Sequence, residues 1–234
     1  MKKLSILIPC FNEIRTLPQV IQKLSNLGFP LTQEVIIIDD ASTDGTREYL
    51  EQLRNEQRAN WKVIFHTKNL GKGAAVRTGL AEATGDYVII QDADLEYDPA
   101  DIQSLVACAK TNNALAVYGS RNTGIKNKYL YPHFYYGSKA LTWLLQILFR
   151  QKISDPETCY KLIHAELFRF LDIQEKGFGI EIEISAKLLS FHIPIFEVPI
   201  HYSARSFAEG KKIRYRDGIK VLWAIVKWRF WPLE

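Results

Sequence analysis

Cysteine is scarce in this sequence, and its scarcity argues against two kinds of site. The 234 residues contain Cys10, Cys108 and Cys159, an odd number that is widely spaced and forms no Cys-x-x-Cys pair. Neither a disulfide framework nor a zinc site built on cysteine ligands is therefore expected. Free thiols of this kind suit a reducing compartment, so we expect the protein to work in the cytoplasm.

Long apolar runs and a strong charge bias are also missing. No stretch reaches the roughly 18 uninterrupted apolar residues of a membrane-spanning helix. The net charge of +4 does not by itself indicate a nucleic-acid partner, and none is expected. Between Arg205 and Arg229, however, eight lysines and arginines stand against two acidic residues. This basic segment favours anionic partners such as phosphates or acidic lipid headgroups.

Strand and helix signals alternate through the first half of the chain. Short apolar runs at 4–9, 34–40, 61–66, 87–90 and 115–119 predict strands, and helical segments are predicted at 13–27, 43–56, 73–83 and 99–110. Repeated βα units of this size predict an α/β fold. We expect a mostly parallel, Rossmann-like sheet with helices on both faces.

The second half contains two aromatic, amphipathic segments. In 138–150 the polar residues Lys139, Thr142, Gln146 and Arg150 form one narrow stripe on an otherwise apolar helix. The segment 219–231 combines four aromatic residues with two lysines and an arginine. Aromatic and basic side chains together are typical of the lipid headgroup level, so we interpret both helices as peripheral membrane contacts. A core helix or half of a dimer contact is the alternative interpretation.

The stretch Gln91-Asp92-Ala93-Asp94-Leu95-Glu96 carries the strongest chemical signal. Its three carboxylates follow directly after the predicted strand at 87–90. Open α/β sheets bind ligands beyond the carboxyl ends of their strands, so these carboxylates are expected in a ligand crevice. Clustered hard oxygen donors suit Mg²⁺ or Mn²⁺, which leave coordination positions for substrate phosphates. A solvated acidic turn is the alternative for the same residues.

Three further loops open onto the same predicted edge of the sheet. Pro9 and Glu13 follow the first strand. Asp39 and Asp40 end the second strand, where two adjacent carboxylates are costly without a partner. The third loop, 69–77, contains glycines and leads into a helix, so its backbone N–H groups are able to reach a ligand. It matches neither a dinucleotide fingerprint nor a P-loop.

Taken together and in this order, these motifs resemble the family 2 glycosyltransferases of the GT-A fold. The resemblance covers 9–121 and rests on Pro-x-Phe-Asn-Glu, Asp-Asp-x-Ser-x-Asp-Gly-Thr, Asn-x-Gly-Lys-Gly and Asp-Ala-Asp. It implies a nucleoside-diphosphate sugar donor (a GDP- or UDP-sugar) and a Mg²⁺ or Mn²⁺ cofactor held by Asp92 and Asp94. The residues it implies around the nucleotide are Pro9, Glu13, Asp39, Asp40, Gly71, Lys72 and Asp92.

A narrower resemblance is to the polyprenyl-phosphate sugar synthases. It rests on 92–96, Gly119-Ser120-Arg121, Ser138 before an amphipathic helix, Asp155-x-x-x-Cys-Tyr-Lys161, and Arg205 followed by 210–213. It implies that Glu96 joins the metal side. The residues it implies for the acceptor phosphate are Arg121, Ser138, Arg205 and Lys211. Within one catalytic domain of 1–234, 1–121 would form the donor half and 122–234 the acceptor half with the interfacial helices.

The expected reaction moves a sugar, with inversion, to a polyprenyl (dolichyl or undecaprenyl) phosphate at the inner face of the membrane. Asp92, Asp94 and Asp155 are the predicted catalytic residues. A phosphate acceptor is already ionised at pH 7, whereas a hydroxyl acceptor would need a general base, with Asp155, Glu181 and Glu183 as candidates. Two alternatives stay open: a soluble family 2 glycosyltransferase acting on a saccharide or other hydroxyl, and a nucleotide-sugar-binding module without turnover.

Overall fold

A computed structural model of the chain describes residues 1–28, 31–125, 127, 130–206 and 215–230. Strands and helices alternate through its first half, as the apolar runs predict. The first-half elements are β1 (Lys3–Cys10), α1 (Leu17–Asn26), β2 (Thr32–Asp39), α2 (Thr46–Asn55), β3 (Trp61–Phe65), α3 (Lys72–Glu82), β4 (Tyr87–Ile90), α4 (Ile102–Asn112) and β5 (Ala116–Ser120). The second half contains α5 (Pro132–Phe149), β6 (Lys161–His164), α6 (Ala165–Phe170), α7 (Ile180–Ser190), β7 (Ile195–Pro199) and α8 (Tyr215–Phe230).

Within the described residues, the strands form one sheet in the order β3-β2-β1-β4-β6-β5-β7. β1, β2, β3 and β4 run parallel to one another, and β5 is parallel to β7. β6 runs antiparallel to both β4 and β5. The predicted α/β fold with a mostly parallel sheet is confirmed, and the antiparallel β6 is an addition to the prediction.

Helices cover both faces of the central strands. Successive side chains of a strand point to opposite faces of the sheet, so a strand that is buried throughout must be covered on both sides. Every residue of β1 after Lys3 is buried, as is every residue of β4. The apolar runs of the sequence therefore reflect strands between two helical layers.

The carboxyl ends of three parallel strands meet at one edge and position the site. Cys10, the last residue of β1, lies beside Asp39, the last residue of β2. Ile90 at the end of β4 lies beside Leu7 of β1, which puts the loop starting at Gln91 next to both. The acidic loop and the two loops before it therefore converge, as expected for an open parallel sheet.

Helices α5 and α8 pack against each other and leave apolar side chains exposed. On α5, Trp143 is 65% exposed and Ile147 lies one turn further along the same face. On α8, Ile219, Trp223 and Phe230 are exposed at helical spacing, so they share one face. Among the described residues, no helix is both long and apolar enough to cross a membrane.

Candidate functional site

A cavity of about 720 Å³ opens at the carboxyl edge of the sheet. Its lining includes residues of 1–121 and residues of 122–234, which were predicted to form a donor half and an acceptor half. Most of the residues predicted for the site line this one cavity: Pro9, Glu13, Asp40, Gly71, Lys72, Asp92, Asp94, Glu96, Arg121, Ser138 and Arg205. Asp39 and Asp155 are not in the lining and are fully buried. Lys211 lies outside the described residues.

Asp39 and Asp40 have different positions although they are adjacent. Asp39 accepts weak hydrogen bonds from the backbone N–H of Ser42 and lies 3.7 Å from the Arg47 guanidinium. Asp40 lines the cavity, and its two oxygens accept the N–H groups of Leu70 and Gly71 at 2.9 and 2.8 Å. Asp40 therefore fixes the position of the glycine-containing loop 69–77, called here the glycine loop, at the cavity.

The glycine loop approaches another backbone so closely that side chains are excluded. Gly71 adopts a φ of +91°, and a Cβ atom there would lie 2.4 Å from the carbonyl oxygen of Lys176. A Cβ on Gly73 would lie 2.0 Å from the carbonyl oxygen of Glu175. The N–H of Gly73 donates to the Lys176 carbonyl at 2.7 Å. Both glycines are thus required by the close packing of the glycine loop against the segment before α7.

Lys72, which begins α3, lies between two carboxylates at the cavity wall. Its Nζ is 2.7 Å from Oδ1 of Asp92 and 3.0 Å from Oε1 of Glu181. Burial alone would lower the pKa of Lys72, but Asp92, Cys159 and Glu181 raise it well above its usual value. Lys72 is therefore a fixed positive charge next to Asp92.

The carboxylates of the acidic loop, residues 92–96, lie close to one another and to Arg205. Burial, with Asp92 and Glu96 close by, raises the pKa of Asp94 to about 7, although Arg205 opposes the shift. Nη2 of Arg205 is 2.7 Å from Oδ2 of Asp94, and Nη1 is 3.0 Å from Oε2 of Glu13. Leu95 between the acidic residues has a φ of +63°, an uncommon conformation for its type.

Glu96 is engaged by the segment that carries Arg205. Its Oε1 accepts the backbone N–H of Arg205 at 2.9 Å, and its Oε2 accepts the hydroxyl of Tyr202 at 2.7 Å. Both carboxylate oxygens thus anchor the 202–205 segment to the acidic loop. Tyr202 also lies under the Arg121 guanidinium, whose centre is 5.1 Å from the ring.

The donor set around Asp92 and Asp94 fits a hard divalent ion that also binds substrate. Within the part of the chain that the structure describes, no three acidic, histidine or cysteine side chains group closely enough to hold a metal by themselves. Mg²⁺ commonly takes one or two protein carboxylates and fills its other positions with water and substrate phosphates. The carboxylates of Asp92 and Asp94, both half-buried in the cavity lining, meet that requirement.

Two of the residues predicted for an acceptor phosphate, Arg121 and Ser138, have carboxylate partners outside the acidic loop. Asp155 binds Arg121 in a fork, with Nε and Nη2 both 2.7 Å from its two oxygens, and also accepts the Arg121 N–H. The hydroxyl of Ser138 on α5 donates to Oε2 of Glu157. Arg121, Ser138 and Glu157 all line the cavity.

The three candidate general bases are each bound by cationic or N–H partners. Asp155 is fully buried and binds Arg121 through both of its oxygens, so its contacts fix the position of that arginine, and its catalytic role stays a prediction. Glu183 is fully buried, and its oxygens accept the backbone N–H groups of Gln174 and Glu175. Burial alone would raise the pKa of Glu181, but Lys161 and Lys72 lower it.

Sequence reasoning missed Glu157 and Tyr202, and it used Lys161 as part of a motif without giving it a role. Glu157 and Tyr202 line the cavity, while Lys161 lies buried behind it. A lysine at the start of an apolar strand, Lys-Leu-Ile-His, was a usable signal for a buried ion pair. Glu157 had no comparable signal, because its importance depends on contact with Ser138 across 19 residues.

The order and direction of the strands define an α/β fold of the GT-A type, and a comparison with family models identifies the family. The model of the family described as "Glycosyl transferase family 2" matches residues 5–171. The chain therefore belongs to glycosyltransferase family 2. The expectation drawn from the sequence motifs is confirmed at this level.

Two curated relatives carry names that specify lipid-phosphate acceptors. A dolichol-phosphate mannosyltransferase of Pyrococcus furiosus is 28% identical over 212 residues, which is 89% of this chain and 59% of that protein. An undecaprenyl-phosphate 4-deoxy-4-formamido-L-arabinose transferase of Yersinia enterocolitica is 37% identical over 112 residues, 47% of this chain and 34% of that protein. The chain thus spans less than two thirds of the length of either relative.

Solved structures establish the likeness of fold. Glucosyl-3-phosphoglycerate synthase of Mycobacterium tuberculosis, in complex with Mn²⁺, UDP and phosphoglyceric acid, superposes with a TM-score of 0.72 at 22% identity. The match covers 99% of this chain and 80% of that one. The same enzyme with Mg²⁺ and UDP gives a TM-score of 0.71 at 21% identity, over 99% and 80% of the two chains.

Proposed function

We propose that this protein transfers a sugar from a nucleoside-diphosphate sugar to a polyprenyl phosphate, with inversion at the anomeric carbon. One observation carries the proposal. A single cavity is lined by Asp92, Asp94 and Lys72, and also by Arg121 and Ser138. Anion-binding groups therefore share one cavity with a site suited to a metal and a diphosphate, and the cavity is large enough for two substrates.

The donor is assigned to the first-half loops. Pro9, Glu13 and Asp40 line the expected nucleoside end, and Gly71 and Lys72 flank the diphosphate. Asp92 and Asp94 would hold Mg²⁺ or Mn²⁺, which when bound supplies positive charge to the leaving diphosphate. Glu96 is left out of this ion's protein ligands, because both of its oxygens bind the 202–205 segment. Residues 1–121 then form the donor half.

The acceptor is assigned to residues of 122–234 together with Arg121. Asp155 fixes the Arg121 guanidinium in a bidentate pair, which orients its remaining edge. A phosphate acceptor carries its own nucleophilic oxygen at pH 7 and needs no base. The three candidate bases, Asp155, Glu181 and Glu183, are each bound to other groups, which agrees with a reaction that needs no base. Arg205 and Lys211 complete the proposed phosphate site.

Peripheral membrane contact is assigned to the exposed face of α5 and α8. A polyprenyl chain stays in the bilayer, so its phosphate is reached from a protein lying on the surface. Trp143, Trp223 and Phe230 are each at least 60% exposed, as expected for side chains that enter an interface. The names of the two curated relatives support a lipid-phosphate acceptor. We place the protein at the cytoplasmic face of the membrane.

A hydroxyl acceptor is the second candidate, and Glu157 is the observation that favours it. This carboxylate lines the cavity beside Ser138 and is the group best placed to accept a proton from an acceptor hydroxyl. The Mycobacterium tuberculosis enzyme of the same fold is named as making glucosyl-3-phosphoglycerate, which is a soluble product. The two candidates differ in acceptor chemistry and share the donor site.

A donor screen tests glycosyl transfer itself. Wild-type protein is incubated with Mn²⁺, polyprenyl phosphate in vesicles and a panel of UDP- and GDP-sugars, and released nucleoside diphosphate is measured. We expect release with one donor, and loss of release in Asp94→Ala with the fold retained by circular dichroism. Binding of a nucleotide sugar without release, or equal release by Asp94→Ala, would support a module without turnover or a different catalytic centre.

A further inference from the structure

A row of four charged side chains leads from the buried sheet to the cavity. Nζ of Lys161, in β6, is 2.7 Å from Oε2 of Glu181 in the first turn of α7. Oε1 of Glu181 is 3.0 Å from Nζ of Lys72, which is 2.7 Å from Oδ1 of Asp92. The charges alternate in sign, so each side chain lies next to an opposite charge.

Lys161 is the buried end of this row. Its side chain has no exposed surface, and a charge in such a place is strongly unfavourable without close partners. Its ammonium donates to the carbonyl oxygen of Thr158 and lies 4.8 Å from the centre of the Tyr118 ring. These contacts hold the ammonium in one position next to Glu181, which lines the cavity, whereas Lys161 itself is outside the lining.

Lys161 affects how closely Lys72 contacts each of its two partners, the carboxylates of Asp92 and Glu181. Glu181 is 6% exposed and has a lysine ammonium on each side, so its negative charge is shared between two lysines. Without Lys161, the buried Glu181 carboxylate would draw Nζ of Lys72 toward itself. Asp92 would then lose the 2.7 Å contact that orients its carboxylate at the cavity.

We propose that Lys161 is a positioning residue for the donor site, acting through Glu181 and Lys72 to fix the carboxylate of Asp92. This inference rests on the proposed function, because Asp92 is assigned there to the metal and diphosphate. Groups that orient metal ligands typically change metal affinity by about 10- to 100-fold when removed. We therefore expect Lys161 to set the affinity for a metal–nucleotide complex.

The same helix offers a matched control. Lys187 on α7 is also buried and pairs with Glu183, at 2.8 Å between Nζ and Oε1. Its ammonium lies 4.3 Å from the ring of Trp228 and donates to the carbonyl of Leu171, as Lys161 does with its own ring and carbonyl. The Lys187–Glu183 pair does not extend to Asp92, so Lys187→Met reports the general effect of breaking a buried pair.

The experiment compares wild type, Lys161→Met, Lys161→Met/Glu181→Gln and Lys187→Met. Calorimetric titration measures the affinity for UDP and for GDP in the presence of Mn²⁺, and thermal unfolding measures stability. Replacing both members of a buried pair with neutral groups is often well tolerated, so the double variant keeps the test open if Lys161→Met does not fold.

We expect about tenfold weaker Mn²⁺-dependent nucleotide binding in Lys161→Met. In the double variant the uncharged side chain of Glu181→Gln no longer draws Lys72 away from Asp92, so the affinity should return toward the wild-type value. Lys187→Met should lose stability and keep its affinity. A loss of affinity that persists in the double variant, or an equal loss in Lys187→Met, would show that Lys161 does not act through Glu181 and Lys72. If wild type binds neither nucleotide, the proposed function fails and this inference fails with it; normal wild-type binding with unaltered affinity in Lys161→Met overturns the inference alone.

Discussion

Replacement of Trp143 tests the proposed membrane face. Its side chain is 65% exposed, which for a tryptophan of roughly 250 Å² leaves about 160 Å² available to lipid. Complete burial of that area would contribute about 4 kcal/mol at 25 cal/mol per Å². An interfacial helix inserts only part of its apolar face, so we take about half, or roughly 2 kcal/mol. Trp143→Ser should therefore weaken vesicle binding about 30-fold.

Sedimentation with anionic vesicles measures this partitioning directly. The matched control is Phe170→Ser on α6, because Phe170 is also 65% exposed but lies on another helix. We expect Trp143→Ser and Trp223→Ser to remain in the supernatant at lipid concentrations that pellet wild type and Phe170→Ser. Equal pelleting of wild type and both tryptophan variants, or equal loss with Phe170→Ser, would refute the assignment of this face.

Three further predictions concern the acceptor, the pH dependence of stability and the glycine loop. Glu157→Gln should retain transfer to a phosphate acceptor within a few-fold, whereas a loss of 100-fold or more in steady-state kinetics would indicate a general base. Burial alone would raise the pKa of Glu34, but hydrogen bonds, first that from Lys3, lower it to about 2 from 4.5. The stabilisation by the Glu34 carboxylate is therefore present above pH 4.5 and is lost as the pH falls toward 2. The free energy of unfolding, measured with urea, should differ less between wild type and Glu34→Gln as the pH falls over that range. Gly73→Ala should lower the free energy of unfolding by about 1–3 kcal/mol, because the new Cβ meets the Glu175 carbonyl oxygen; an unchanged urea midpoint would contradict this.

Much of the donor side was predictable because its signals are local. Apolar runs marked the strands, and parallel pairing then brings the loops that follow β1, β2 and β4 to one edge. The start of α1 was predicted too early. Asn12 adopts a φ of +53° and accepts the N–H of Thr43, so 12–16 forms a turn that joins two loops. The helix begins at Leu17, next to Pro18, a residue suited to the first turn.

The acceptor side was harder to predict because its contacts are distant in sequence. Arg205 meets Glu13 across 192 residues, and no local pattern indicates such a pair. Asp40 lines the cavity and Asp39 does not. This difference was not predictable, because a shift of one residue in strand register would exchange the directions of the two side chains. The bidentate contact of Asp155 with Arg121 joins residues 34 positions apart and has no local signal either.

Transfer to two matched acceptors tests the central claim most directly. Wild-type protein is given the donor chosen by the screen, Mn²⁺, and either polyprenyl phosphate or polyprenol of the same chain length in identical vesicles. The account predicts labelled sugar in the lipid extract with the phosphate and none with the alcohol. Labelled polyprenol, or label found only on a water-soluble acceptor, would contradict it.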